Sequence, residues 1–304
     1  KKDFDSEFFY EMEVGFSQKT SLFQLNDFPN PKKIFNEKYP FYSGSSEYMK
    51  NHFKNYAEWI MKKFQKSSFK LIEIGSNDGT LLKNFINTNI EYVGFEPSKR
   101  VSEVAIKNKI NTLNIFFNKK NTEELKNFRG KTNVICAANV ICHVPDLNDL
   151  IESVDKLLSS DGVFIFEEPY LASMFSKTSY DQIYDEHIFM FSLTSIKKIF
   201  ELFNFELIDA FPQPTHGGSM RYVVGRKNKH KINNIIIKGL DLEKMQNLDD
   251  IKSCLDFKKN CEVSRNKTLE KLKTFKESGK KICGYAATSK STTILNYCKI
   301  NTDL

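Results

Sequence analysis

The sequence predicts an α/β fold in which a doubly wound, mostly parallel sheet of seven strands is covered by helices on both faces. The main observation is that short apolar runs rich in Val, Ile and Phe alternate with helical patterns between residues 70 and 226. Such alternation predicts a parallel sheet that is buried on both faces. The second observation is a glycine turn directly after the first apolar run. A turn of this kind at the carboxyl end of a strand forms a nucleotide-binding corner.

Each predicted strand is a short apolar run, and the segments between the runs have helical spacing. In the first helix, for example, Phe53, Tyr56, Ile60 and Phe64 recur on one face. The predicted strands are Lys70–Gly75, Glu91–Glu96, Leu113–Phe117, Asn133–Asn139, Val163–Pro169, Phe205–Phe211 and Met220–Arg226. The predicted helices are Tyr48–Gln65, Leu81–Ile86, Val101–Lys107, the Thr122–Phe128 turn, Leu147–Leu158 and Thr194–Phe203.

Length and composition favour a soluble enzyme over a membrane protein or a nucleic-acid-binding protein. A chain of 304 residues has room for one large domain or two smaller ones. No apolar run reaches the ~18 residues that span a bilayer, and the charged N-terminus is no secretory signal. The six cysteines form no Cys-x-x-Cys pair, which favours reduced thiols in the cytoplasm. The net charge of +7 includes no basic run interleaved with aromatics, so it indicates solvated faces and a phosphate-bearing small substrate.

The most informative pattern of the chain is Glu-x-Gly-x-x-x-Gly, which lies within Lys70–Leu82. Its glycines let the backbone turn sharply and approach a ligand, because neither carries a Cβ. A dinucleotide fingerprint would need Gly-x-Gly-x-x-Gly, and Asn77 stands where its second glycine belongs. The corner resembles the first motif of class I S-adenosylmethionine-dependent methyltransferases. Its predicted cofactor contacts are Glu73, Gly75, Ser76, Asn77 and Gly79.

Three polar residues at the ends of the next strands complete the predicted cofactor site. Glu96 ends the second strand about 20 residues past the first glycine, where an acid accepts both ribose hydroxyls. Asn118 follows the third strand and can either reach the adenine edge or act as a turn residue. Asn139 ends the fourth strand beside the topological switch, where its amide can hold the methionine amino group or cap the chain.

Histidines and a tyrosine gather in connections at or near the carboxyl side of the predicted sheet. Tyr184, Glu186 and His187 fall within four positions after the fifth strand, His143 follows the fourth strand, and His216 lies between the last two. A lone histidine is usually structural, but three in such connections favour catalysis. The ordinary pKa of histidine suits a base near neutral pH, and a tyrosine hydroxyl can donate to a developing oxyanion.

Five segments in order resemble the nucleotide-sugar C-methyltransferases, which act on dTDP-linked 3-amino or deoxy-4-keto hexoses. The resemblance implies that a base removes the proton α to the 4-keto group and that the enolate takes methyl at C3. The segments are Tyr39–Met49, Glu73–Gly79, Ala138–His143, Tyr184–His187 and His216–Ser219. The implied residues are His187 as base, with Tyr184, Glu186, His143 and Tyr39 near it and His216 at the substrate.

The resemblance also carries expectations about the N-terminal arm. Tyr39, Ser43 and Ser46 are expected to fold over the methionine end of the cofactor as a lid, with plain packing on the sheet as the alternative. Members of the family usually carry a zinc module of two Cys-x-x-Cys pairs. Here the first pair is missing, and Ser17 and Thr20 stand where the second belongs. Because hydroxyls do not replace thiolates as zinc ligands, we predict no zinc and no metal site.

We predict three parts: an arm over residues 1–48, an S-adenosylmethionine-binding domain over 49–228, and a helical linker with a partial second α/β half over 229–304. In the last part, Lys281–Tyr297 repeats a strand–turn–helix pattern, but Ser289 stands where a P-loop needs glycine before Lys290. The predicted function is cytoplasmic C-methylation of a nucleotide-linked 4-keto sugar, with S-adenosylmethionine as donor and S-adenosylhomocysteine as product. An O- or N-methyltransferase and an inactive cofactor-binding relative stay open, as do the sugar, the nucleotide and the oligomeric state.

Overall fold

The computed structural model describes residues 11–64, 69–285 and 288–303 of the chain. The sequence-based predictions reach beyond these ranges at four places: the first ten residues of the arm, residues 65–68 at and after the end of the first helix, residues 286–287 in the C-terminal turn, and Leu304 at the end of the third part. Within the described ranges, no helix combines the length and apolar character needed to cross a membrane.

Ten strands are present in the described part of the chain, and seven of them form the central sheet. In chain order the strands are β1 (Val14–Ser17), β2 (Leu22–Leu25), β3 (Phe69–Ile74), β4 (Ile90–Phe95), β5 (Thr112–Leu113), β6 (Thr132–Ala138), β7 (Leu158–Pro169), β8 (Phe189–Met190), β9 (Phe205–Gln213) and β10 (Ser219–Arg226).

The order of the central sheet is β5-β4-β3-β6-β7-β10-β9. Neighbouring strands from β5 to β7 are parallel, whereas β10 runs antiparallel to both β7 and β9. The prediction of a doubly wound, mostly parallel sheet of seven strands is confirmed. The chain moves from β3 outward through β4 to β5 and then returns to β6 on the other side of β3. The topological switch, where such sheets bind ligands, therefore lies at the carboxyl ends of β3 and β6.

Apolar side chains pack against both faces of the sheet. On β3, Ile72 joins a cluster with Ile151 of one helix, whereas Leu71 joins the opposite cluster with Tyr56 of another. Full burial of such a side chain contributes about 1.5–3 kcal/mol. The helices are α1 (Pro31–Ile34), α2 (Glu47–Lys63), α3 (Lys99–Lys107), α4 (Lys119–Thr122), α5 (Leu147–Leu157), α6 (Leu171–Lys177), α7 (Leu193–Glu201), α8 (Asn234–Met245), α9 (Ile251–Glu277) and α10 (Ser289–Cys298).

Short polar side chains shorten two of the predicted elements. The third strand ends at Leu113, because the Asn114 amide donates to the carbonyl oxygens of Glu96 and Pro97. The predicted helix over 81–86 is only a 3-10 turn, since Asn84 donates to backbone carbonyls that a helix would use. A third predicted element is displaced: the structure has the short helix α4 directly before the predicted turn over 122–128, and α4 ends at the first residue of that turn.

The N-terminal arm contains a β-hairpin that the sequence did not predict. Strands β1 and β2 are antiparallel, and β2 also pairs with β8, which makes a second sheet of three strands. The Leu25 amide donates to the Ile188 carbonyl at 2.8 Å and extends this pairing. The arm is therefore joined to the segment that directly follows the predicted catalytic residues.

The C-terminal part consists of helices packed against the rest of the molecule. On α9, the Phe257 ring stacks on Phe175 with centroids 4.5 Å apart and meets Phe23 edge-on. On α10, the Thr293 hydroxyl donates to the Ile183 carbonyl at 3.0 Å. Residues 281–285 form no strand, so the described residues include only the helix of the predicted strand–turn–helix unit.

Candidate active site

The predicted cofactor corner lies at the end of β3, where the backbone turns sharply. Gly75 has a φ of +66°, and a Cβ added there would stand 2.4 Å from Val140 Cγ2. The Glu96 carboxylate accepts the Asn77 N–H at 3.0 Å and the Ser98 N–H at 2.7 Å. Burial raises the pKa of this carboxyl, and the two backbone donors oppose the shift. Glu96 is thus fixed in place, with lone pairs left on both oxygens for a ligand.

One cavity of about 670 Å³ joins this corner to the predicted catalytic residues. It opens along the carboxyl edge of the sheet, beside the topological switch, as ligand sites in such sheets do. The predicted cofactor residues that line it are Ser43, Gly75, Asn77, Glu96, Asn118 and Asn139. The predicted catalytic and substrate residues that line it are Tyr39, His143, Tyr184, Glu186, His187 and His216.

Four predicted cofactor residues do not line the cavity. Glu73 and Ser76 are buried behind its wall, and burial raises the pKa of the Glu73 carboxyl well above its usual range. A Cβ on Gly79 would stand 2.4 Å from Ile110 Cδ1, so this glycine serves packing. Ser46 caps α2 by accepting the Met49 N–H. These residues support the corner from outside the cavity.

The arm crosses the corner and is tied to it by hydrogen bonds. The Asn77 side chain accepts the Ser43 N–H at 2.8 Å and donates to the Phe41 carbonyl at 3.2 Å. The Asp78 carboxylate accepts the Gly44 N–H at 2.8 Å. The polar residues of the glycine turn therefore anchor the segment that was expected to act as a lid.

Asn118 and Asn139 both line the cavity, but only the Asn118 side-chain oxygen accepts a hydrogen bond from a described residue. The Asn118 side chain caps α4 by accepting the Asn121 N–H at 2.9 Å. Asn139 has a φ of +55°, and its N–H donates to the Glu167 carbonyl at 2.7 Å. Among the described residues, nothing donates to the buried Asn139 Oδ1. A buried acceptor of this kind needs a partner, and the ammonium group of a bound S-adenosylmethionine fits that need.

His187 is held in a turn whose hydrogen bonds define its tautomer. The ring is only 3% exposed, its Nδ1 lies 2.9 Å from the Gln182 carbonyl, and its Nε2 lies 2.7 Å from the Tyr184 hydroxyl. A carbonyl can only accept, so Nδ1 carries the proton and the Tyr184 hydroxyl donates to the lone pair on Nε2. Burial lowers the pKa of His187 well below its usual value, and His143 adds to this shift.

Tyr184 and His187 converge through this turn, although they are three positions apart in the sequence. The His187 N–H donates to the Tyr184 carbonyl at 2.9 Å, and the two ring centroids lie 4.0 Å apart. The turn therefore points the two side chains at each other.

The other predicted catalytic side chains surround this pair. The His143 ring lies 5.2 Å from the His187 ring, and its Nδ1 donates to the Glu186 carbonyl at 2.5 Å. Burial, with Asp185 as a second cause, raises the pKa of the Glu186 carboxyl to about 7. The pKa of Tyr39 is raised above its usual range by burial and then by Glu186. All of these groups are thus neutral or close to titration near pH 7.

His216 and a lysine that the sequence did not single out face the same region. His216 has a φ of +52°, and its carbonyl accepts the Gln182 side-chain N–H at 2.8 Å. Burial and then Lys290 lower the pKa of His216 to about 4. Lys290 lies in the first turn of α10 and also lowers the pKa of His187. The sequence offered no more than a lysine at the start of a helical pattern, after Ser289 in the position where a P-loop needs glycine.

Two groups of side chains bear on metal binding. In the arm, the Thr20 hydroxyl donates to the Ser17 hydroxyl at 2.8 Å, so the two residues expected in place of zinc ligands bond each other. Beside the cavity, Cys142, His143 and His187 each offer a ligand atom within 4.8 Å of the others. The sequence did not reveal this second group, because its members come from two connections far apart in the chain.

The fold and the cavity together define the class of protein, a methyltransferase. The chain belongs to the methyltransferase-domain family, whose model matches residues 47–210. A second family model, described as the C-methyltransferase C-terminal domain, matches residues 214–304. The predicted class is therefore confirmed.

Individual proteins resemble the chain in sequence or in fold. The C-methyltransferase NovU from Streptomyces niveus is 27% identical over 229 residues, which cover 75% of this chain and 54% of that protein. The chain thus spans about half the length of this curated relative. The PH0226 protein from Pyrococcus horikoshii matches in fold with a TM-score of 0.50 and 13% identity, over 66% of this chain and 100% of that one.

Proposed function

We propose that the protein is an S-adenosylmethionine-dependent C-methyltransferase that acts on a nucleotide-linked 4-keto sugar through an enolate. One observation carries the proposal: a single cavity contains both the cofactor corner and a buried neutral imidazole whose lone pair faces a tyrosine hydroxyl. Methylation at carbon needs such a base, because the nucleophile forms only after a C–H proton is removed. Methylation at oxygen or nitrogen needs no enolate.

The cofactor is proposed to lie between Glu96 and Asn139. Glu96 accepts the ribose hydroxyls with the lone pairs that its backbone donors leave free. The Asn139 Oδ1, buried and without a donor among the described residues, accepts from the methionine ammonium group. S-adenosylmethionine, when bound, supplies a methyl group on a sulfonium. Ser43 and Tyr39 of the arm line the cavity, and we propose that they close it as a lid.

Glu96→Ala tests the cofactor site. Loss of a charge-assisted contact should weaken S-adenosylmethionine about ten- to a hundred-fold, or about 1.5–3 kcal/mol. Glu91→Ala, an exposed glutamate on the same strand, is the matched control and should leave the affinity unchanged. Titration calorimetry gives both values. If the two variants bind S-adenosylmethionine with equal affinity, Glu96 does not contact the cofactor.

The proton steps use His187 and Tyr184. When a ketone enters, the Tyr184 hydroxyl turns from His187 Nε2 to the ketone oxygen, and the freed lone pair takes the α proton. The proton then resides on Nε2, while Nδ1 keeps its bond to the Gln182 carbonyl, which stabilises the imidazolium. The Tyr184 O–H stabilises the enolate oxygen. The enolate carbon attacks the methyl group, and the electron pair of the broken bond stays on sulfur.

Cationic side chains favour an anionic nucleotide carrier on the substrate. The charge of Lys290, which follows the cavity-lining Ser289, contributes to the lowered pKa of His187 and of His216. A second cavity, of about 1010 Å³, lies next to the cavity that contains the cofactor corner. Tyr184 and Ser289 line both cavities. The lining of the second cavity includes Arg265, which lies over the Tyr297 ring at 5.4 Å. Guanidinium groups and aromatic rings are typical contacts for phosphates and bases.

The experiment follows the α proton in heavy water without methyl donor. A dTDP-linked 4-keto-deoxyhexose should exchange its α proton for deuterium, and addition of S-adenosylmethionine should then give a C-methylated product. The same nucleotide sugar with a hydroxyl at C4 is the control and should do neither. Turnover without exchange would indicate O- or N-methylation. Cofactor binding without exchange or turnover would indicate a binding-only relative.

A further inference from the structure

Three side chains of the types that bind soft and borderline metal ions converge, and one of them is the proposed base His187. Cys142 and His143 belong to the 3-10 turn after β6, and His187 belongs to the turn before β8. One potential ligand atom from each lies within 4.8 Å of the other two. Thiolate and imidazole are the ligands that favour Zn²⁺ and its transition-metal neighbours over Mg²⁺ or Ca²⁺.

Both imidazoles are already oriented as metal ligands are. His187 Nδ1 donates to the Gln182 carbonyl, and His143 Nδ1 donates to the Glu186 carbonyl. The lone pair of each ring is therefore on Nε2. Metal-bound histidines almost always donate their other ring N–H to a carbonyl or a carboxylate.

The thiol has a proton acceptor beside it. Glu168 Oε1 accepts the N–H groups of Val140 and Ile141, at 3.0 and 2.6 Å, which places the carboxyl under the turn that carries Cys142. A cation that binds the sulfur must displace the thiol proton, and the carboxyl under the turn is a nearby group that can accept it.

We propose that Cys142, His143 and His187 form an inhibitory site for Zn²⁺ or a similar cation, which blocks the base by occupying its lone pair. On binding, the S–H bond of Cys142 breaks and a sulfur–metal bond forms. The proton passes to Glu168 or to water. The Tyr184 hydroxyl loses its acceptor on His187 and turns into the cavity.

The geometry requires only a small closure. Zinc–sulfur and zinc–nitrogen bonds of about 2.3 and 2.0–2.1 Å put tetrahedral ligand atoms ~3.3–3.6 Å apart. The trio lies within 4.8 Å, so side-chain movements on the order of 1 Å suffice. Three protein ligands leave the fourth position to water, on the side where His143 and His187 line the cavity. The site is distinct from the arm, where Ser17 and Thr20 supply no thiolate.

Cobalt(II), a spectroscopic substitute for zinc, tests the site without any turnover. Metal-stripped wild-type protein should bind one equivalent of Co²⁺ and develop the near-ultraviolet band of a thiolate–cobalt bond. Cys142→Ser should lose the band and bind Co²⁺ at least about ten-fold more weakly. Its hydroxyl can still donate to Glu168, so the fold is kept, and Cys142→Ala provides a second variant. Cys283→Ser, at an exposed thiol, is the matched control and should behave as wild type.

Inhibition supplies the second readout. Micromolar Zn²⁺ should suppress methyl transfer, or α-proton exchange, by wild type and by Cys283→Ser. Cys142→Ser should stay active within about threefold and resist the same Zn²⁺ by at least about ten-fold. The proposal is overturned if wild-type protein develops no thiolate–cobalt band. It is also overturned if this band persists in Cys142→Ser or vanishes in Cys283→Ser. Because the cobalt spectrum needs no substrate, its outcome is separate from that of the proposed sugar chemistry.

Discussion

Replacing His187 by Asn tests the proposed base. The imidazole is almost fully buried, so bulk water cannot readily take its place as proton acceptor. Asparagine has no lone pair of comparable basicity. A positioned base contributes about 10²–10⁴-fold, which corresponds to about 2.7–5.4 kcal/mol of activation free energy. We expect α-proton exchange and methyl transfer to fall by that factor together.

The assay measures deuterium uptake at the α carbon by mass spectrometry, with cofactor affinity measured in parallel by calorimetry. The His187 ring contacts Gln182, Tyr184 and His143 and none of the proposed cofactor residues, so affinity for S-adenosylmethionine should change by less than about threefold. Tyr184→Phe is the companion variant. It keeps the base but removes the donor to the enolate, and loss of one such donor costs about 10²–10³-fold. In wild type, burial lowers the pKa of His187, so protonation of this base should not slow exchange as pH falls through 6.5.

Exchange by His187→Asn at the wild-type rate would refute the reasoning. The base would then be another residue, and His143, whose ring lies 5.2 Å away, is the next candidate. If instead the variant loses cofactor affinity to the same extent as turnover, the change has disturbed the whole cavity. In that case Tyr184→Phe separates a local effect from a general one.

Three further changes test the surroundings of the site. Asn139→Gly keeps the positive φ but removes the amide, so S-adenosylmethionine affinity should fall about ten- to a hundred-fold by calorimetry; unchanged affinity would rule out the proposed contact. Gly79→Ala puts a Cβ 2.4 Å from Ile110 Cδ1, and denaturant titration should show a loss of about 1–3 kcal/mol in unfolding free energy. Arg221→Met removes one of the two partners of the buried Glu167 carboxylate, which Arg221 contacts at 2.7 Å and His52 at 2.6 Å, and should cost at most about 3–5 kcal/mol. Adding Glu167→Gln should restore part of that loss, and no restoration would contradict the pairing.

The sequence predicted the sheet and most of the cavity because both follow from topology. Once parallel strands alternate with helices, their carboxyl ends meet at one edge, so Glu96, Asn139 and His143 had to lie near one another. The strand pattern also explains why the Glu73 side chain is buried and does not line the cavity. Glu73 alternates with Ile72 and Ile74 and so shares a face with Leu71, which packs against α2.

Features that depend on contacts distant in sequence were not predictable. Lys290 reaches the site only because α9 and α10 pack back onto the segment around Ile183. Residues 281–285 have a strand-like composition but no neighbouring strand to pair with in the described chain. The trio around Cys142 arises from two turns that no local pattern connects.

The pairing of the N-terminal hairpin with β8 bears on how the molecule folds. Phe23 pairs with Met190, and the Lys198 ammonium donates to the Ser21 hydroxyl across 177 residues of chain. Contacts of such sequence separation form late, because a long loop must close before they can form. During synthesis the hairpin emerges before the central sheet, and its partner strand β8 follows only after all the parallel strands have been made. The turn that holds His187 is therefore among the last parts to acquire its native shape, and catalytic competence should develop after the sheet itself is folded.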